Sequence, residues 1–419
     1  MNESKPKILL VSSEVAPYAK TGGLGEVINI LHTELRKQGV DARVVFPRYK
    51  NIACFNTLEQ IGEVIVNVAG KTQGGQILAV DNPADHIYAI GNEDMFFRDG
   101  FYGYPDDHYR FYFFTVAVLA MIKSLDFKPD IINFNDWQVG LGAFYLKEAL
   151  IDDPFFADIA TVFSIHNIQH QGSFGADALD QIGIDPYYFN LHMLECYGRL
   201  NFMKAGIVFN DAVTTVSKTY AKEIQTPFYS YGLDGVIKSR RQDLYGIING
   251  ISYDDVMAEP VVKDRAALQQ RLGLPVEDRP VVALITRLVE QKGIDIIAHS
   301  LDQLLSRGLQ LVVLGVGEER YERLFHDYAS RYHNLSAHLY FNTELSLDIY
   351  KHSDMFLMPS LFEPCGIAQM IAMKYGTVPI VRKTGGLDDT VKHFDPESRW
   401  GNGFVFNDYD SGGLVWAVD

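Results

Sequence analysis

The sequence has few cysteines and no long apolar run. Its three cysteines, Cys54, Cys196 and Cys365, are odd in number, lie far apart and include no Cys-x-x-Cys pair, which argues against a disulfide framework or a cysteine-based zinc site. No stretch approaches the ~20 consecutive apolar residues of a membrane span, and the apolar run near the first residue is too short for a signal peptide. We therefore expect a cytoplasmic protein with no membrane partner.

Positive charge is also scarce. The chain has 37 Lys and Arg against 53 Asp and Glu, a formal net charge of −16. Nucleic acids and anionic lipid surfaces are bound by dominantly positive fields, so we expect neither as a partner. Any anionic ligand must instead be bound by a local basic pocket.

Apolar residues are plentiful, at 47% of 419 positions, which is more than one ordinary core holds, so we expect two domains. Short β-branched runs alternate with helix-period segments, which is typical of buried parallel strands. We predict an α/β fold with two doubly wound, Rossmann-like parallel sheets. The predicted strands of the two series begin at Lys7, Ala42, Asp130, Ala160 and Ala212, then at Val281, Leu309, His338, Asp354 and Val378.

A glycine-bearing segment, residues 245–256, separates the two series. Gly246 and Gly250 interrupt both periodicities there, so we predict domains at 1–247 and 248–419 and a candidate hinge between them. An ordinary surface turn within one domain is the alternative.

The pentapeptide KTGGL occurs twice, at residues 20–24 and 383–387. Each copy follows a predicted strand and opens a helix, where glycine permits close backbone approach and free N–H groups bind anions. We expect both copies to line one cleft between the domains. Turn chemistry that is merely used twice is the alternative.

Two further loops carry charge. RLVEQKG places Arg287 at a strand end and Lys292 five residues later, a pair suited to a diphosphate. SLFEPCG places Glu363 before a predicted helix N-terminus at Cys365 to Ala368, where a carboxylate can bind sugar hydroxyls and the amides behind it can bind phosphate. Solvated surface charges and a helix cap are the alternatives.

The motifs KTGGLGEV, FNDWQVGL, SIHNIQHQG, RLVEQKG and EPCGIAQMIAMKYGTVPIVRKTGGLDDTV, in this order, resemble bacterial glycogen synthase and plant starch synthase over nearly the whole chain. The resemblance implies the GT-B architecture, with an acceptor-side domain followed by a nucleotide-sugar domain. It also implies retaining transfer of glucose from ADP-glucose to an α-1,4-glucan. Relatives continue for several dozen residues beyond the last residue here, so we expect a shortened second domain.

The resemblance assigns roles to individual residues. Asp136 and Trp137 resemble an acceptor-side pair, and Phe341 resembles an aromatic that stacks on the base. The catalytic residues that it implies are Lys20, His166, Arg287, Lys292 and Glu363. The substrate-binding residues that it implies are Gly22, Gly23, Asp136, Trp137, Asn167, Phe341, Cys365, Gly366, Thr384, Gly385 and Gly386.

No cofactor and no metal are expected. The one Asp-x-Asp sequence, DYD at 408–410, precedes a predicted helix and is interpreted as capping and turn chemistry. Three alternatives stay open at this point. They are a related transferase that uses UDP-glucose or another acceptor, a catalytically silent glucan-binding paralogue, and a nicotinamide oxidoreductase. The last is the weakest, because LGVGEE at residues 314–319 lacks the GxGxxG spacing.

Overall fold

The structure is a computed structural model that describes residues 5–50, 57–254 and 261–419. The chain divides into two compact units, Met1–Val216 with Ala221–Gly250, and Ser217–Tyr220 with Ile251–Asp419. The domain limit between residues 247 and 248 stays a prediction. The last two residues of the predicted junction, 255 and 256, lie outside the described residues.

The first unit contains a nine-stranded sheet in the order β12-β11-β7-β6-β1-β2-β5-β4-β3. Its pairs are parallel from β12 to β5, whereas β4 is antiparallel to both of its neighbours. A small antiparallel sheet has the order β8-β10-β9. The strands are β1 (Lys7–Val11), β2 (Asp41–Pro47), β3 (Leu58–Val68), β4 (Lys71–Val80), β5 (Ile87–Gly91), β6 (Ile131–Asn135), β7 (Ala160–Ile165), β8 (Ser173–Phe174), β9 (Glu195–Cys196), β10 (Arg199–Asn201), β11 (Ala212–Thr215) and β12 (Leu244–Gly246).

The second unit contains a six-stranded parallel sheet in the order β15-β14-β13-β16-β17-β18. Successive residues of β13 pack into different cores, Val282 and Leu284 into one and Val281 and Ala283 into the other. Both faces of the sheet are therefore covered, which explains the continuous apolar runs. The strands are β13 (Val281–Ile285), β14 (Gln310–Leu314), β15 (Leu335–His338), β16 (Met355–Met358), β17 (Val378–Arg382) and β18 (Phe404–Phe406).

Helices connect the strands in both units. They are α1 (Gly23–Lys37), α2 (Glu93–Phe96), α3 (Asp107–Ser124), α4 (Gly142–Glu148), α5 (Ala178–Ile182), α6 (Phe202–Phe209), α7 (Lys218–Glu223), α8 (Pro227–Ser230), α9 (Asp234–Ser239), α10 (Arg265–Arg271), α11 (Ile294–Leu305), α12 (Glu319–Arg331), α13 (Thr343–His352), α14 (Ala368–Lys374), α15 (Gly385–Thr390) and α16 (Ser411–Val418). Among the described residues, no helix combines the length and apolarity that a membrane span requires. Cys196 and Cys365 carry thiols rather than disulfides, and Cys54 lies outside the described residues.

The predicted α/β fold with parallel sheets is confirmed, with two local differences. The antiparallel β3–β4 hairpin was not predicted, because β3 alternates between exposed and buried residues instead of forming an apolar run. The strand predicted from His338 is wrong, since β15 ends at that residue. Helix α14 begins at Ala368, within the helix N-terminus predicted at residues 365–368.

Strand β1 in the first sheet and strand β13 in the second each have later strands of the chain on both sides. The direction in which strands are added to the sheet therefore reverses at β1 and at β13. The reversal falls between β1 and β6 in the first sheet and between β13 and β16 in the second. Ligands of open parallel sheets bind outside the carboxyl ends of the strands at such switch points. The loops after these four strands are therefore the first places to look for function.

Candidate active site

In the second unit, the loops after β13 and β16 meet at the switch point. The Leu361 amide donates to the Gln291 carbonyl oxygen at 2.9 Å. Gly293 is in the left-handed region with φ of 76°, and a Cβ there would lie 2.2 Å from the carbonyl oxygen of Pro359. Only glycine fits this position, since any side chain would separate the two loops.

Lys292 and Glu363 form an ion pair across these loops. The Lys292 Nζ lies 2.7 Å from Glu363 Oε2, and the Ser360 hydroxyl donates to the same oxygen at 3.1 Å. Their side chains are only 17% and 8% exposed, so each charge stabilises the other in a poorly solvated place. The two residues predicted from separate motifs therefore belong to one arrangement.

The second KTGGL copy supports the Glu363 loop from the adjacent strand β17. A Cβ on Gly385 would lie 1.9 Å from the Glu363 carbonyl oxygen, and one on Gly386 would lie 2.1 Å from that of Cys365. The Gly386 amide donates to the Glu363 carbonyl at 3.1 Å. Thr384, Gly385 and Gly386 are buried, so the contacts on this copy are with the protein itself. Their predicted substrate contacts are not supported by this packing and stay predictions.

Arg382, the last residue of β17, holds the same loop. This buried guanidinium donates to the carbonyl oxygens of Ser360, at 2.8 Å, and of Leu361. The Tyr409 ring lies over the guanidinium at 5.4 Å, and its hydroxyl donates to the Glu290 carbonyl at 3.1 Å. Arg382 and Tyr409 thus connect both loops, and sequence reasoning missed them. A charged residue at the end of an apolar strand was the available signal.

The remaining predicted residues of this unit differ in exposure. Arg287 follows β13, is exposed, and makes no side-chain hydrogen bond or ion pair with any described residue. Phe341 is 83% exposed in the loop after β15, two strands away from β13. Gly366 has φ of 72°, and within the described chain its amide donates no hydrogen bond. Cys365 is buried.

In the first unit, Glu14 organises the first KTGGL copy. Its carboxylate accepts hydrogen bonds from the Thr21 amide at 2.7 Å, the Thr21 hydroxyl at 2.5 Å, the Gly22 amide at 3.3 Å and the Tyr102 hydroxyl at 2.8 Å. Glu14 is 3% exposed and follows β1, but no sequence motif identified it. A carboxylate between a buried strand and a glycine loop was the only signal.

The first copy differs from the second in what its glycines contact. Gly22 and Gly23 are exposed, and a Cβ on Gly22 would meet no atom within 4 Å. Packing therefore does not require glycine at position 22, which is the N-cap of α1, and its predicted contact with a ligand stays a prediction. Lys20 is half-exposed and forms an ion pair with Glu26.

Asn135, Asp136 and His166 form a cluster at the first switch point. Asp136 has φ of 61°, and its carboxylate accepts from the amides of His166 at 2.8 Å and Asn167 at 3.4 Å. The Asn135 Nδ2 donates to the carbonyl oxygen of Val11 and to Asn133. Its Oδ1 therefore faces the His166 Nε2 at 2.9 Å, so Nε2 carries the proton and Nδ1 is the acceptor of the neutral ring.

Burial shifts the pKa values of two of these groups in opposite directions. It raises the pKa of Asp136 to about 7, although the two amides oppose the shift. It lowers the pKa of His166 to about 4, so the ring is neutral at pH 7. Trp137, the predicted partner of Asp136, is 8% exposed and packs against Phe111 at 5.3 Å. The structure gives Trp137 a packing role, and a contact with substrate stays a prediction.

Comparison with known proteins was made with the sequence and with the fold. Residues 7–239 match the family model described as the starch synthase catalytic domain, and residues 266–419 match glycosyl transferases group 1. The glycogen synthase of Desulforudis audaxviator is 44% identical, over 98% of this chain and 88% of the relative. That of Thermotoga maritima is 43% identical, over 98% and 90%.

The chain belongs to the glycogen and starch synthase family. The catalytic domain of starch synthase IV from Arabidopsis thaliana, solved with ADP and acarbose, superposes with a TM-score of 0.90 at 32% identity, over 99% of this chain and 91% of that one. A sucrose-phosphate synthase from Thermosynechococcus elongatus, 17% identical with a TM-score of 0.61 over 99% of this chain and 89% of that one, shares the fold alone. The GT-B class and the glycosyltransferase identity predicted from the motifs are confirmed, which removes the oxidoreductase alternative.

The shifted pKa values of Asp136 and His166 predict opposite effects of pH on the stability of this protein. Asp136 contributes stability that is fully present below its unfolded pKa of 3.8 and is lost as the pH rises through about 7. His166 contributes stability that is present above 6.5 and is lost as the pH falls toward about 4. As the pH increases from 4 to 7, we expect the melting temperature of Asp136→Asn to rise relative to that of wild type. As the pH increases from 4 to 6.5, we expect the melting temperature of His166→Asn to fall relative to that of wild type.

Melting curves of wild type and the two variants across pH 4–8 measure how the stability difference between each variant and wild type changes with pH, which gives one slope for each variant. Each slope is at most about 1.4 kcal/mol per pH unit, and less for groups that retain partial solvent contact. Lys123→Ala, which removes one half of a surface ion pair, is the control and should change neither slope. Parallel curves for all four proteins would contradict the pKa assignments.

Proposed function

We propose that this chain transfers glucose from ADP-glucose to the non-reducing end of an α-1,4-glucan, with retention at the anomeric carbon. The observation that carries the proposal is the ion pair of Lys292 and Glu363 at the switch point of the second unit, with Arg287 in the same loop as Lys292. Family membership alone would leave the donor open. A buried ion pair, together with a guanidinium nearby in the sequence that has no partner among the described residues, supports a ligand that is both a sugar and an anion.

Arg287 supplies the charge for the donor diphosphate. Its guanidinium has no partner among the described residues and stands in a chain with a net charge of −16. A planar fork of donors suits a phosphate. The Gly366 amide, which is likewise without a described acceptor, provides a second donor for phosphate oxygen.

Lys292 is proposed to stabilise the charge that develops as the nucleotide leaves. Among the described residues, the Glu363 carboxylate accepts only from Lys292 and Ser360, through Oε2, so Oε1 can accept hydrogen bonds from sugar hydroxyls. Because Glu363 is already ion-paired, it is a poor nucleophile. We therefore favour attack on the same face as departure, with the leaving phosphate oxygen accepting the proton of the acceptor hydroxyl.

The first unit is proposed to act in the same reaction through a neutral histidine, a glycine loop and a lysine. The His166 Nδ1 can accept from a glucose hydroxyl without adding positive charge, since the pKa of the ring is about 4. Gly22 and Gly23 allow the backbone to approach the donor, and Lys20 adds a cation. Asp136 and Asn167 are proposed to bind substrate beside His166. The Asp136 carboxylate holds the loop in place by accepting from the amides of His166 and Asn167.

Nucleotide choice and metal use are the finer parts of the proposal. Base recognition depends on few groups, of which Phe341 is 83% exposed. In the DYD sequence, Asp410 accepts from the Gly413 amide at 2.8 Å, which confirms its capping role. No metal is proposed, because Arg287 and Lys292 already provide the positive charge. A cytoplasmic location stays a prediction from the cysteine content.

The test is release of ADP from ADP-glucose with and without glycogen, repeated with UDP-glucose and with EDTA. We expect release that depends on glycogen, glucose incorporated into polymer, a preference for ADP-glucose, and full activity in EDTA. Release without glycogen incorporation would contradict the transferase proposal. A preference for UDP-glucose or loss of activity in EDTA would overturn the corresponding part alone.

A further inference from the structure

Two Tyr-Gly pairs in the first unit have the same unusual backbone. In the β9–β10 hairpin, Cys196 pairs with Arg199, so Tyr197 and Gly198 form a two-residue turn with φ of 51° and 74°. Such turns favour asparagine or glycine at the first position. A bulky aromatic residue with positive φ is an outlier, and Tyr197 is nevertheless 80% exposed.

The second pair, Tyr231 and Gly232, repeats this arrangement after α8. Tyr231 occupies the C-cap with φ of 51°, a place that glycine usually takes, and Gly232 follows with φ of 89°. Tyr231 is 42% exposed. Two solvent-exposed tyrosines thus both adopt a conformation that tyrosine disfavours. Strain of this kind is retained where function requires it.

The two pairs contact each other. The Tyr197 hydroxyl donates to the Gly232 carbonyl oxygen at 3.3 Å. A Cβ on Gly232 would lie 2.9 Å from the Tyr197 Cε2, so glycine there lets the ring lie against the backbone beside Tyr231. The Tyr197 ring therefore lies against the backbone of the residue that follows Tyr231, and both tyrosine side chains are exposed.

This surface is tied to the loop that contains His166. Gln171, in the same HNIQHQG motif, donates to the Tyr231 carbonyl at 3.1 Å and accepts from Asn201 at 2.8 Å. Gln171 lies five residues after His166, so the distance between them is at most about 18 Å. The aromatic pair is thus linked to the loop that contains His166 but does not belong to the hydrogen-bonded cluster of Asp136 and His166.

We infer that Tyr197 and Tyr231 form an aromatic platform for the α-glucan acceptor, beyond the residue that receives glucose. The inference rests on the proposed function. Sugar rings present apolar C–H faces that pack against aromatic faces, and exposed aromatic patches mark ligand sites. A neutral polymer also suits an acidic chain. The platform binds the acceptor and does not touch the donor.

The test uses Tyr197→Asn and Tyr231→Asn in the full chain. Asparagine is favoured at both backbone positions, so we expect melting temperatures equal to or above that of wild type. We expect the KM for glycogen to rise about tenfold in each variant, with the KM for ADP-glucose unchanged. Tyr197→Phe keeps the ring and should retain a glycogen KM within about threefold of wild type.

Tyr187→Ala is the matched control, since Tyr187 is 70% exposed in the same unit but has an ordinary backbone; its glycogen KM should not change. An unchanged glycogen KM in both asparagine variants would overturn the platform. So would an equal rise in the donor KM. If wild type itself adds no glucose to glycogen, the proposed function fails, whereas the platform is then tested by glycogen retardation of the same variants in affinity gels.

Discussion

Arg287→Ala and Lys292→Ala should each lower the turnover number with ADP-glucose and glycogen by about 100-fold or more, the effect of removing one preorganised donor to a developing charge. The two variants should differ in stability. Arg287 is exposed and makes no described side-chain contact, so its removal should leave the melting temperature unchanged. Lys292 neutralises Glu363, which is 8% exposed, so its removal should destabilise the second unit, by about 3 kcal/mol or less.

Steady-state kinetics and melting curves of the two variants measure these effects. Arg323→Ala is the matched control, because Arg323 is an exposed arginine of the same unit whose ion pair with Glu319 lies on α12. The double variant Lys292→Ala, Glu363→Gln should regain stability but not activity, since it removes both charges. Turnover near wild type in Arg287→Ala or Lys292→Ala would refute their assignment.

Glu363→Gln should lower turnover by about 10²- to 10³-fold while the protein stays folded. Glutamine has nearly the same shape and can still accept from Ser360. It cannot, however, balance the charge of Lys292 or accept as strongly from a sugar hydroxyl. The loss should appear mainly in kcat, because the carboxylate is proposed to act on the glucose as it is transferred.

Ser360→Ala is the control for Glu363→Gln. Ser360 donates to the same carboxylate oxygen at 3.1 Å, so its removal tests whether the position of the carboxylate, rather than its charge, matters. We expect a smaller loss of turnover than in Glu363→Gln, about tenfold, because the charge of the carboxylate and its ion pair with Lys292 remain. Glu363→Gln activity within threefold of wild type, or a larger loss in Ser360→Ala, would contradict the role given to the carboxylate.

The sequence predicted the switch-point loops because their physics is local. Buried parallel strands produce apolar runs, and the residues after β13 and β16 then lie at one edge of the sheet. This placed Lys292 and Glu363 correctly in neighbouring loops before any contact was known. The two copies of the KTGGL pentapeptide have different surroundings. Gly22 faces open space, whereas Gly385 and Gly386 fit against the backbone of the Glu363 loop.

The rest depended on contacts between distant residues. Glu14 is a buried carboxylate bound by amides and hydroxyls of its own loop and of Tyr102, and Arg382 is a buried guanidinium bound by carbonyls of another loop. No spacing in the sequence identifies such partners. Helix α1 shows the same limit. The spacing of its apolar residues predicts one buried stripe formed by Val27, Ile30, Leu31 and Leu35. Leu31 is nevertheless 38% exposed, whereas His32 is only 4% exposed. The strand predicted from His338 failed because β15 is short and only its first residue is strongly apolar.

The most direct measurement is a crystal structure of this chain with ADP-glucose or ADP bound. The account predicts the diphosphate within hydrogen-bond distance of Arg287 and Lys292, with the glucose of the donor beside Glu363. A nucleotide bound away from these residues, at full occupancy and in an active protein, would contradict it.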